Sequence, residues 1–198
     1  MSRSELAGLA LLVALPALGG CGGASHGAAR STTGTGARSA PGGKTFSAPG
    51  MALHFTFPAS LRTMRLAPSK RVAGNAAQAS HSAVGTGVYD LLIVTRFPRR
   101  PIPITARNIY KLKVQFDGAM SAALGHPIAS AIGTIGGLPA LSYPPSPVAG
   151  LPVKATSRIT EVFLGDDEYE LNCQYTPKAA PTISAACDQM LATLRVGS

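Results

Sequence analysis

Residues 22–44 read GGASHGAARSTTGTGARSAPGGK, without one large apolar side chain. A segment of that composition cannot bury enough surface to offset the entropy of ordering it, so it is expected to remain a flexible tether. At about 5–6 Å times the square root of its length, the reach of residues 21–44 is about 25 Å. Whatever folds must therefore be built from residues 45–198, which is close to the usual size of one domain. Hydrophobic residues make up 45% of the chain and charged residues only 14%, so one globular domain with a real core is expected.

Upstream of the tether, Arg3 precedes an apolar run over residues 6–18, broken by Pro16, and then the small pair Gly19 and Gly20. This is the pattern of a signal peptide over residues 1–20. The run falls short of the roughly 20 apolar residues a bilayer-spanning helix needs. Leu18-Gly19-Gly20-Cys21 resembles the bacterial lipobox, which implies cleavage before Cys21 and diacylglycerol on its thiol. Two acyl chains, at about 0.8 kcal/mol per buried methylene, anchor a protein firmly. The expected location is the extracytoplasmic face of the cell membrane; the alternative is an ordinary secretory signal with Cys21 incidental.

Export places the remaining cysteines, Cys173 and Cys187, where thiols oxidise, so they are expected to form one disulfide in place of two buried thiols. Residues 168–175 alternate polar and apolar, putting Tyr169, Leu171, Cys173 and Tyr175 on one strand face. Ile183, Ala186, Cys187, Met190, Leu191 and Leu194 recur at helical spacing. The two thiols then face one interior.

Residues 158–164 and 168–175 flank Gly165-Asp166-Asp167, and residues 131–135 and 138–143 flank Gly136-Gly137; each predicts a hairpin. A helix is expected over residues 105–124, capped by Thr105, with Ile109, Leu112, Phe116, Met120 and Ala123 along one stripe. Leu53, Phe55 and Phe57 alternate with His54 and Thr56, and residues 89–97 are rich in β-formers. Helices so separated among antiparallel strands predict an α+β fold, an antiparallel sheet packed by helices.

The succession FTFPASLR, YDLLIVTRF, ITARNIYKL, GLPALSYPP and ITEVFLGDDEYELNCQYT, followed by a helix bearing Cys187, resembles small actinobacterial lipoproteins of the LpqN type and, more distantly, the PsbP-like fold. The resemblance covers residues 46–196. It implies an α/β/α sandwich around an antiparallel sheet, and a binding or assembly role in place of catalysis.

Candidate chemistry is sparse. His26, His54, His81 and His126 are scattered without metal-ligand spacing, so no metal and no cofactor are expected. There is no Gly-x-Ser-x-Gly elbow, and the glycine-rich stretches at 85–87 and 133–137 lack the lysine and strand-to-helix context of a phosphate loop. The acids Asp166, Asp167, Glu168 and Glu170 suit a calcium ion on paper, but a hairpin tip is where solvated acids collect. No enzyme activity is expected.

The net charge is +9. Arg96, Arg99 and Arg100 concentrate part of it, and Arg62, Arg65, Lys70 and Arg71 form a second basic stretch. In an exported protein the available anions are phospholipid headgroups and wall polymers, so nucleic acid is not an expected partner. Two roles follow: a lipid-anchored binding or assembly module meeting an envelope protein or polymer, or a carrier of a small molecule or lipid in a cavity between helix and sheet.

Overall fold

The alternation of Leu53, Phe55 and Phe57 with His54 and Thr56 becomes a strand whose first set is buried and whose second set is half-buried. The computed structural model describes residues 43–64, 80–98 and 103–197. Along them run β1 (Gly43–Phe46), β2 (Leu53–Pro58), β3 (Arg62–Met64), β4 (Ser80–Gly87), β5 (Asp90–Pro98), α1 (Ile109–Leu124), β6 (Ala131–Ile135), β7 (Leu138–Ser142), β8 (Ser146–Pro147), β9 (Thr156–Leu164), β10 (Asp167–Tyr175), α2 (Ala180–Thr193) and β11 (Arg195–Val196). β1 begins two residues inside the stretch expected to be tether, where the Lys44 ammonium donates to the Leu61 carbonyl at 3.2 Å.

The strands form two antiparallel sheets. A small one has the order β1-β2-β11, and Phe46 stacks on Phe55 across it with ring centroids 4.4 Å apart. A large one has the order β3-β4-β5-β10-β9-β7-β6, with β8 pairing β9 outside that path. Both expected hairpins are present. Gly165-Asp166 is the turn between β9 and β10, with Asp167 already paired to Leu164. Gly136 and Gly137 both have positive φ, 57° and 80°, the conformation that matches a two-residue turn to the twist of its strands.

Neighbouring strand residues send their side chains to opposite faces of the large sheet. Ala140 and Val162 join the main core with Leu92, Val94, Tyr169, Leu171 and Cys173; α2 supplies Ile183, Ala186, Cys187 and Met190, and β2 supplies Leu53 and Phe55. The next residues along, Leu141 and Phe163, lie in a second core with Ile109, against which Ile104, Leu112 and Phe116 pack. α2 and the small sheet therefore cover one face and α1 the other, which is the expected α+β fold as an α/β/α sandwich. Each large side chain taken fully out of water contributes about 1.5–3 kcal/mol, so the main core dominates stability.

Cys173 and Cys187 are bonded, their Cα atoms 6.0 Å apart and both residues buried. The bond ties α2 to β10 through the main core.

The interior helix starts later than its apolar stripe suggests. The Asn108 side chain accepts from the Thr105 N–H at 2.7 Å, and the Thr105 carbonyl accepts from the N–H groups of Asn108 and Ile109. Residues 105–108 are thus a closed turn, and α1 opens at Ile109. Its other end is conventional: Gly125 has φ 74° and donates its N–H to the Ser121 carbonyl.

Candidate functional site

On the face of the large sheet that α1 covers, strand pairing aligns side chains in rows. Asn172 stands opposite Ile159, Gln174 opposite Ser157, and Ser157 opposite Ser146. The second half of α1 passes over these rows without filling the space beneath it. The result is a cleft of about 240 Å³, with Met120, Ala123, Leu124 and Ile128 on the helix side. Tyr143, Ile159, Ser157, Asn172 and Gln174 line its sheet side, and the β8 segment with Val148 closes one end.

Several contacts hold the helix side in place. Asp117 pairs with Lys113 one turn back and accepts from the Ser130 N–H and hydroxyl at 3.0 and 2.7 Å. The Ser121 hydroxyl accepts from the Ile128 N–H at 3.0 Å. Burial alone would raise the Asp117 carboxyl, but the bonds from Lys113 and Ser130 outweigh it and hold the group below the ordinary carboxylate range.

The cleft is polar without being charged. Ser157 donates to the Asn172 carbonyl oxygen at 2.6 Å, and the Gln174 amide donates to the Tyr89 carbonyl at 3.3 Å, leaving the Gln174 side-chain oxygen to accept. Burial pushes the Tyr143 phenol well above its ordinary value, so it stays a neutral hydroxyl at physiological pH. None of the other lining side chains ionises there. Such a site suits an uncharged molecule with an apolar body and a hydrogen-bonding edge. It is smaller than the roughly 300–1,000 Å³ of drug-sized pockets, so its ligand is small or enters only in part.

The acidic hairpin differs from expectation. Asp166 is exposed, but Asp167 is tied to Arg96, and Glu168 turns inward and is buried. Glu170 stands directly opposite Glu161, itself buried, and opposite Thr95, which contacts His81 Nδ1 at 3.0 Å. Burial pushes the Glu170 carboxyl up, the Asn172 side chain draws it back down, and Glu168 adds to the rise. Glu168 and Glu170 share one strand face, as alternation requires, with Glu161 beside them, but that face is covered. Among the described residues no group of three or more His, Cys, Asp or Glu has the geometry to hold a metal ion.

Arg96 lies in a shallow hollow with Gly50, Met51, His54, Asp167 and Tyr169. Its Nε donates to Asp167 at 2.8 Å and its Nη1 to the Gly50 carbonyl at 3.1 Å, so it joins the C-terminal end of β5 to the segment before β2. The bond to Asp167 raises its pKa further. Arg99, Arg100 and Cys21 lie outside the described residues, as do Arg65, Lys70, Arg71 and His26. His126 is exposed, and His54 lines the Arg96 hollow.

The cleft residues Tyr143, Ser157, Asn172 and Gln174 carry no sequence motif, because none belongs to a catalytic pattern. One signal points to Tyr143 and the helix side, though not to the other three: residues 118–153 contain no Asp, Glu, Lys or Arg, and they supply the helix side and one end of the cleft.

No protein-family model matches the sequence, and no curated protein does. Solved structures do resemble it. A protein of Bacteroides thetaiotaomicron VPI-5482 matches over 79% of this chain and 49% of its own, at 11% identity and a TM-score of 0.52. The chain thus spans about half the length of that protein, and the likeness is one of fold. PsbP (CyanoP) of Synechocystis sp. PCC 6803 matches over 80% of this chain and 94% of its own at 8% identity, with a TM-score of 0.49. LpqN of Mycobacterium tuberculosis, described as involved in cell envelope biogenesis, matches over 79% and 92% at 12% identity, with a TM-score of 0.45. These identities do not extend to the LpqN-type assignment that the order of motifs suggested.

Proposed function

We propose that this chain is an exported binding module, held at the outer face of the membrane by lipid on Cys21, which takes a small uncharged ligand in the cleft beneath α1. The observation that carries the ligand reading is the cleft itself, about 240 Å³ of space beneath a helix, lined by apolar groups and neutral hydrogen-bonding groups. Export is supported by the lipobox-like Leu18-Gly19-Gly20-Cys21 and by the Cys173–Cys187 bond, which persists in oxidising compartments. Among the described residues no helix is long and apolar enough to cross a membrane. The module binds without turnover, and hydrolysis abolished by changing one polar residue of the cleft would overturn that part.

Two variants test the proposal separately. Cys21→Ala releases the protein from salt-washed membranes; retention in the pellet contradicts anchoring by lipid on this thiol. Ala123→Phe fills the cleft from the helix side, and it abolishes binding of the uncharged fluorophore N-phenyl-1-naphthylamine without lowering the melting temperature. Undiminished binding rules the cleft out as the ligand site.

A further inference from the structure

Among the described strands β6 ends the large sheet, and its register shows which of its groups are unused. β6 pairs with β7 across the two-residue turn, with Thr134 opposite Pro139. Proline has no N–H, so that pair is a non-hydrogen-bonded one, and in an antiparallel ladder the two kinds of pair alternate. Ala131, Gly133 and Ile135 therefore bond to β7, whereas the backbone groups of Ile132 and Thr134 point outward from the sheet. Residues 131–134 are exposed, and Ile132, an apolar side chain, is 48% exposed.

Free edges are normally blunted by lysine, proline, bulges or brevity. The opposite edge follows that rule, because β3 has three residues and carries Arg62. β6 reads AIGTI and has none of these features.

Gly133 sits at its centre. Glycine weakens a strand and commonly marks the close approach of another backbone. Nothing among the described residues calls for it: its φ is not positive, and a Cβ there would meet none of their atoms within 4 Å.

We infer that β6 is a self-association edge, pairing antiparallel with β6 of a second copy about a two-fold axis at Gly133. In that register the outward groups of Ile132 meet those of Thr134 in the second copy, giving two symmetric pairs of backbone hydrogen bonds. Gly133 meets Gly133 in the narrow non-hydrogen-bonded position, where Cα atoms approach to about 4.5 Å. Charge selects a second copy over an acidic partner. The chain carries +9, yet residues 118–153, which include β6 and β7, have no formal charge, so two copies join there with their charges held apart.

The test is a cysteine scan of the full chain in membranes, with Ala131, Ile132, Gly133 and Thr134 changed singly to cysteine and read on non-reducing gels. The register predicts a dimer band at Gly133→Cys several-fold stronger than at Ala131→Cys or Thr134→Cys. Adding Ile132→Pro, which removes only an outward N–H, abolishes that band; Thr134→Pro does the same should the first variant unfold. No band at any position, a maximum away from 133, or a position-133 cross-link to a different protein each overturns the inference.

Discussion

Replacing both Cys173 and Cys187 by alanine removes the covalent tie between β10 and α2 and leaves nearly all of the main core in place. The bridged residues are 14 apart, and in the chain-entropy model closing a loop of that length restricts the unfolded chain by about 3 kcal/mol. That corresponds to about a 150-fold rise in the unfolded fraction. For a domain of this size each kcal/mol moves the melting temperature by about 2–4 °C, so the double variant melts about 6–12 °C lower. Calorimetry measures the shift directly. Urea titration adds a second signature, a larger m-value, because an unfolded chain without the bridge exposes more surface. Reductant destabilises the wild type alike and leaves the double variant unchanged. A shift below about 2 °C, or equal sensitivity of both proteins to reductant, refutes the entropic account of this bond.

Two further perturbations probe the face under α1. Glu170 has a raised folded pKa from burial and from Glu168, so its stabilising neutral form is fully present below the ordinary glutamate range near about 4.3 and is lost as pH rises. Glu170→Gln accordingly equals the wild type at low pH and melts higher at pH 8; a lower melting temperature at pH 8 contradicts this. Phe163→Ala removes a buried ring that meets Phe116 edge-on at 6.0 Å, and it costs about 3–5 kcal/mol by urea titration. It also weakens fluorophore binding, because α1 loses its main support above the cleft.

Local patterns carried much of the fold. The hairpins at Gly136-Gly137 and Gly165-Asp166 were legible because glycines that permit positive φ separate runs of β-forming residues. The α2 stripe and the alternation around Cys173 are enough by themselves to place both sulfurs in one interior. The start of α1 was not legible, because the Asn108 side chain captures the Thr105 N–H and closes a turn that a hydrophobic stripe cannot reveal. Glu168 and Glu170 show a related limit. Alternation assigns them to one face, but only the long-range packing of α1 and the pairing of β9 with β10 decide whether that face meets water. The cleft is further from view still, since Ser146, Ser157, Asn172 and Gln174 meet only through the register of three strands.

The central claim is that the cleft beneath α1 holds a ligand, and native mass spectrometry of the lipidated chain released from its own membranes tests it most directly. The account predicts an added mass in the native spectrum that the denatured spectrum lacks. The same added mass is absent from Ala123→Phe. A bare native mass, or an added mass that Ala123→Phe retains, contradicts it.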